Sequence, residues 1–164
     1  MAQLTLMSNE SLTILRRSNT LCGWPRPAPG SMSRGNDYVS RATRRKVGER
    51  AGFRCEYCLL PERVMGYSVH IDHIISLKHR GNNIIDNLAY SCWLCNLNKG
   101  SDVGSITPDT HQLIRFYNPR IDIWSEHFQL VNFRIEPLSD IGVVTEFIFG
   151  FNESERIAER SVLF

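Results

Sequence analysis

The 164-residue chain contains no run near the roughly eighteen consecutive apolar residues that a membrane-spanning helix takes, so a transmembrane reading is excluded at the level of sequence. Residues 1–30 lack the unbroken apolar stretch of a secretory signal. They are Ser-rich and poor in acid, with Arg16, Arg17 and Arg26, which gives only a faint transit-peptide character. An even cysteine count is also missing: five cysteines always leave one over, which argues against a disulfide scaffold. The chain lacks a strong net charge, at +2, yet the charge is unevenly spread. Residues 1–54 hold ten Lys/Arg against three Asp/Glu, whereas residues 55–164 hold nine against fourteen. The positive portion suits a polyanion, and the acidic portion does not do so unaided. At 18.8 kDa and 42% hydrophobic, the chain has material for one ordinary domain with a tail.

Four cysteines form two tight pairs, Cys55-Glu56-Tyr57-Cys58 and Cys92-Trp93-Leu94-Cys95, and Cys22 stands apart as a spare thiol. With no secretion signal, two Cys-x-x-Cys pairs point to reduced thiolates holding zinc and to a cytoplasmic setting. Each pair places two sulfurs on one side of a tight turn, so two turns supply a closed tetrahedral site. The 33 residues between Cys58 and Cys92 exceed the spacing of a simple ribbon, so a sizeable unit is looped out between the pairs. A closed site is structural, worth on the order of 10 kcal/mol to folding. The chemistry must lie elsewhere.

Residues 1–36 are punctuated by Ser, Asn, Gly and the alternating prolines Pro25, Pro27 and Pro29, which fit neither a helix nor a central strand. They read as a mobile tail, with Met32 a candidate translation start. From Tyr38 to Ala51 the pattern is helical, with Ser40 as N-cap and Gly52 as stop. Arg41, Arg44, Arg45, Lys46 and Arg50 make this helix basic, either as a solvated face or as a nucleic-acid contact. Tyr67 to Ile75 alternates like a short strand, followed by a polar loop from Lys78 to Asn83. Asn96 to Lys99 reads as the first turn of a helix ended by Gly100, and Asp109 to Tyr117 as one more short helix. Near the end, an apolar run from Val143 to Phe151 precedes a charged, helical Glu153 to Arg160.

In the looped-out unit, a regular strand turns His70 and Asp72 to one face and His73 to the other. Asp72 and His73 can serve one site only if the strand ends or twists there. Asn87 lies downstream, and Asn96 directly follows the last pair-forming cysteine. Lys99 and Arg80 are open to two readings, a phosphate contact or a solvated surface position. His70 and His79 read as structural or incidental, His111 carries no assignment, and His127 reads first as packing with Trp124 and Phe128.

The succession Cys55-Glu-Tyr-Cys58, His70-Ile-Asp-His-Ile74, Asp86-Asn-Leu88, Cys92-Trp-Leu-Cys-Asn96 and Lys99-Gly100 resembles the HNH endonuclease family in its zinc-stapled, standalone bacterial form. The likeness extends over about residues 38–128, taking in Phe116 to Arg120 and Trp124 to Phe128. It implies an α+β fold: a ββα-metal (His-Me finger) nuclease core with a four-cysteine zinc knuckle and flanking helices. In that arrangement residues 1–36 are the tail, 37–130 the nuclease domain and 131–164 an extension packing on the core. His73 is then the general base, Asp72 and Asn96 the ligands of one catalytic cation, and Asn87 the residue that steadies the loop orienting His73. With Asn96 in the third signature position, the chain is of the His-Asn-Asn type. A neutral amide ligand favours magnesium or manganese over catalytic zinc. The partner implied is DNA, held by Arg41, Arg44, Arg45, Lys46, Arg80 and Lys99. The competing reading is a noncatalytic zinc-knuckle module that only binds nucleic acid. The C-terminal apolar run either packs on the core or pairs with a second copy.

Overall fold

The computed structural model describes residues 39–163. The expected tail 1–36, with Cys22 and Met32, lies outside the described residues. The first helix, α1 (Arg41–Arg50), starts where Ser40 accepts a hydrogen bond from the Thr43 N–H, satisfying an orphan donor of the first turn. Gly52, with φ of +57°, ends it in the left-handed region that glycine tolerates. Two strands follow, β1 (Val69–His73) and β2 (Leu88–Cys92), paired antiparallel with His73 opposite Leu88 and Val69 opposite Cys92. Helix α2 (Trp93–Lys99) continues directly from β2.

Every residue of β2 is buried, because the strand is covered on both faces. Leu88 and Tyr90 meet Val39 and Val47 from the α1 side; Ala89 and Cys92 face the larger cluster built on Tyr57, Phe116, Phe128, Phe149 and Phe151. That double coverage explains why β2 shows no apolar–polar alternation while β1 does.

Beyond α2 the chain makes two hairpins, β3 (Gly104–Ile106) with β4 (Leu113–Arg115), and β5 (Phe128–Val131) with β6 (Arg134–Pro137), the latter entered through the short α3 (Trp124–His127). Two helices close the chain, α4 (Asp140–Phe149) and α5 (Ser154–Ser161). Mixed helices and small sheets bear out the α+β expectation. The C-terminal apolar run packs inward, since Val144, Phe149 and Phe151 belong to the main core. Among the described residues no helix is long and apolar enough to cross a membrane.

Two expected elements are corrected. Asp109 to Tyr117 is not a helix. Thr107 bonds both the Thr110 hydroxyl (2.6 Å) and the Gln112 N–H (3.2 Å), and these side-chain contacts commit the segment to a turn that feeds β4. The helix expected to begin at Asn96 begins three residues earlier, at Trp93. Cys92 serves as its N-cap, its sulfur accepting from the Cys95 N–H at 3.4 Å.

Candidate active site

Strand β1 ends at His73, and the chain turns away through a loop that returns at Asn87. Asn87 fastens this loop. Its Oδ1 accepts from the Ile75 N–H, and its Nδ2 donates to the carbonyls of Ile75 and Asn82, all at 2.9 Å. The Ile74 N–H donates to the Asn87 carbonyl at 2.9 Å, joining the loop to the strand end. Gly81 passes so close that a Cβ there would lie 1.7 Å from the Ile75 carbonyl oxygen. Gly81→Ala must therefore push the loop open, an overpacking cost of about 1–3 kcal/mol. A urea midpoint equal to that of the wild type would refute this packing argument.

Because β1 stops at His73, consecutive residues reach one open pocket of about 310 Å³ beside the strand end. Asp72, His73, Ser76, Lys78, Asn96 and Ser101 line it. Asp72 and His73 keep their ladder partners, Ala89 and Leu88, and both border this pocket at the end of the strand. Asn87 is not among the residues lining this pocket; it holds the loop.

His73 is half-buried, and its Nε2 lies 2.7 Å from Asn83 Oδ1. With that amide oxygen as acceptor, Nε2 is the donor of this hydrogen bond. Asp72 is 5% exposed. Tyr57 Oη donates to Asp72 Oδ2 at 2.5 Å, and Lys99 Nζ donates to Asp72 Oδ1 at 3.0 Å and to the His73 carbonyl at 2.8 Å. Burial pushes the Asp72 carboxyl above the usual carboxylate range, with Lys99 and Tyr57 pulling against it. The Tyr57 phenol is held well above its ordinary value by its own burial and by the Asp72 charge.

Lys99 is the clearest correction. A phosphate contact or a solvated position was expected, but the residue is 2% exposed and its ammonium is taken up by Asp72 and the β1 backbone. A buried cation of this kind is kept for its partner, not for a ligand arriving from solvent. The other basic candidates remain outside: Arg41, Arg44, Arg45 and Lys46 are exposed on α1, and Arg80 is exposed in the loop. Arg45 is paired with Glu49 at 2.7 Å, and Arg50 turns inward to the carbonyls of Ile85 and Leu88.

The donor set accommodates a hard cation. A carboxylate offers about four lone-pair sites, and Tyr57 and Lys99 occupy one on each oxygen of Asp72. Among the described residues the Asn96 side-chain amide makes no hydrogen bond, and it borders the same pocket. Each of the two side chains therefore keeps oxygen lone pairs of the kind a hard cation takes.

The four paired cysteines converge separately. Cys55, Cys58, Cys92 and Cys95 are buried, and their sulfurs all lie within 4.8 Å of one another, an arrangement able to hold a metal ion. Burial pushes the thiols of Cys55 and Cys95 up, while hydrogen bonds from the other three sulfurs draw Cys58 down. The two residues between Cys55 and Cys58 link this cluster to the rest: Glu56 accepts from the Tyr90 N–H of β2 at 2.7 Å, and Tyr57 reaches Asp72.

Three contributors escaped the sequence reading. Asn83 sits in the polar loop with nothing to mark it out from Asn82. Tyr57 is hidden as a variable position of a cysteine pair. Arg156 of α5 belongs to a charged helix whose pattern suggests a solvated face. The remaining histidines stay peripheral: His70 meets Ser68 at 3.3 Å, His79 and His111 are exposed, and His127 is hydrogen-bonded to Ser139 at 2.6 Å beside Tyr117 and Phe128.

Residues 55–102 match the family model described as HNH endonuclease, a span running from the first cysteine to just past α2. No curated protein and no solved structure matches the chain.

Proposed function

We propose that this chain, whose residues 55–102 match the HNH endonuclease family model, is a metal-dependent endonuclease that hydrolyses DNA phosphodiester bonds. The single observation carrying this reading is that Asp72, His73 and Asn96 border one open pocket. His73 Nδ1 takes a proton from the attacking water, and the hydrogen bond to Asn83 holds the imidazole through its other nitrogen. Asn87 holds the loop that carries Asn83. Asp72 and Asn96 are the residues that would hold one magnesium or manganese ion; when bound, it relieves charge on the phosphoryl oxygens and on the departing 3′ oxygen. Tyr57 and Lys99 keep the Asp72 carboxylate in place. Zinc held by Cys55, Cys58, Cys92 and Cys95 serves structure alone, since four protein ligands leave no open position.

Supercoiled plasmid incubated with the purified chain tests the reading. Nicked or linear product appearing with magnesium or manganese, and disappearing with chelator, is the expected result; intact plasmid under both metals would refute it. A noncatalytic nucleic-acid-binding module is favoured by one specific observation, that both oxygens of Asp72 already have protein partners. That module would bind plasmid without cutting it.

The exposed cations of α1 give the DNA contact an electrostatic character. Replacing Arg41, Arg44 and Arg45 together by Gln is expected to weaken binding and to reduce the salt slope of log K by about 2 to 3, at about 0.9 per lost phosphate contact. Fluorescence anisotropy across a salt series reads this directly. An unchanged slope would place the contact elsewhere.

A further inference from the structure

Arg156 is 2% exposed, yet it stands 61 residues beyond Cys95 and outside the matched domain. One end of its guanidinium is anchored, Nη1 donating to the Phe149 carbonyl at 2.6 Å and more weakly to Gly150 at 3.3 Å. The other end points at sulfur. Nη2 lies 3.0 Å from Cys95 Sγ and 3.8 Å from Cys92 Sγ, and the guanidinium carbon stands 5.4 Å from the centre of the Phe151 ring. A cation taken this far from water needs a negative partner, and among the described residues its side chain forms no ion pair with a carboxylate. The negative partner within hydrogen-bonding distance is the cysteine cluster, with the Glu159 carboxylate acting on Arg156 only through its charge.

Four thiolates around a divalent ion carry a net charge of about −2, which is costly in an apolar interior. A buried guanidinium offsets part of that charge and donates a hydrogen bond that lowers the basicity of the sulfur it meets. We propose that Arg156 is an outer-sphere positioning residue of the four-cysteine metal centre, so that the C-terminal helix α5 is a working part of that centre. Loss of Arg156 then loosens the metal, and loss of the metal leaves a positive charge stranded beneath α5. The inference rests on the reading of the four cysteines as a zinc site.

Arg160 provides an internal control. It is one turn further along α5 and also buried, but its guanidinium bonds the carbonyls of Phe133 (2.5 Å) and Phe151 (2.7 Å) and the Asn152 side chain, with no sulfur among its hydrogen-bond partners. The experiment compares the full-length chain with R156Q, R156K and R160Q. Zinc content is measured first by elemental analysis, followed by the rate of zinc transfer to a chromogenic chelator and the thermal midpoint of each variant. One zinc per wild-type chain is the premise; its absence would remove the zinc reading itself. Given that zinc, R156Q is expected to release it at least about ten-fold faster than R160Q, as outer-sphere losses commonly do. R156K, which keeps the charge, should recover part of the retention. If R156Q fails to fold, R156K with cobalt in place of zinc decides the question, through a shifted sulfur-to-metal charge-transfer band relative to wild type. Equal release from R156Q and R160Q at matched thermal stability would overturn the inference, as would a cobalt band unmoved in R156K.

Discussion

His73→Ala is expected to leave the fold intact and to reduce plasmid cleavage by about 10²- to 10⁴-fold, the range over which general bases contribute. The fold survives because the His73 side chain is half-buried at the rim of the pocket and makes one hydrogen bond, to Asn83, whereas the β1 backbone is held by its ladder to β2 and by Lys99 at the His73 carbonyl. None of those backbone ties depends on the imidazole. Far-UV circular dichroism should match wild type, and unfolding stability should lie within about 1 kcal/mol of it, the usual effect of a substitution at a partly exposed position. DNA binding should persist, because the α1 cations are untouched. Cleavage at the wild-type rate by a folded His73→Ala protein would end the assignment of His73 as base.

Cys58→Ser is expected to give the opposite outcome, a chain that does not reach its native state. Cys58 is one of four sulfurs within 4.8 Å of one another, and the main core of Tyr57, Phe116, Phe149 and Phe151 is assembled around that cluster. A metal bound there contributes on the order of 10 kcal/mol, which is comparable with the roughly 5–15 kcal/mol that separates a native domain from its unfolded chain. Loss of one ligand therefore removes most of the margin. The far-UV spectrum of Cys58→Ser should resemble that of wild type unfolded by chelator and urea, and added zinc should not restore it. A cooperative unfolding transition near the wild-type midpoint would show that the cluster is dispensable. Measured side by side, the two variants separate the chemistry from the scaffold.

The centre of the fold was legible because its signals are local. Cysteine pairs, the Asp-His-Ile strand and the Asn-Leu return each occupy a few adjacent residues, and their succession along the chain follows their placement in space. Ser40 and Gly52 likewise marked the ends of α1 through the chemistry of capping. What was missed depends on distant partners. Lys99 looks solvent-bound until β1 is laid beside α2 and Asp72 comes within 3.0 Å. Arg156 looks like one member of a charge run until α5 folds back over the cysteines. The segment from Asp109 to Tyr117, which holds β4, reads as a helix because Thr107, which turns the chain, acts through side-chain hydrogen bonds that a periodicity count ignores. The β5–β6 hairpin, unread in the sequence, carries Phe128 and Ile135 into the core while leaving Leu130 and Val131 exposed, so its inward face declares itself only against α4.

The wedge that Tyr57 forms between the sulfur cluster and Asp72 has a consequence for the order in which the molecule matures. Cys58 meets Cys92 across 34 positions of sequence, and Arg156 joins from 61 positions beyond Cys95. Closures over such distances along the chain are slow relative to helix formation. The Tyr57 hydroxyl and the Arg156 guanidinium thus reach their partners only through contacts between segments far apart in the chain, so this part of the molecule is expected to order late in folding.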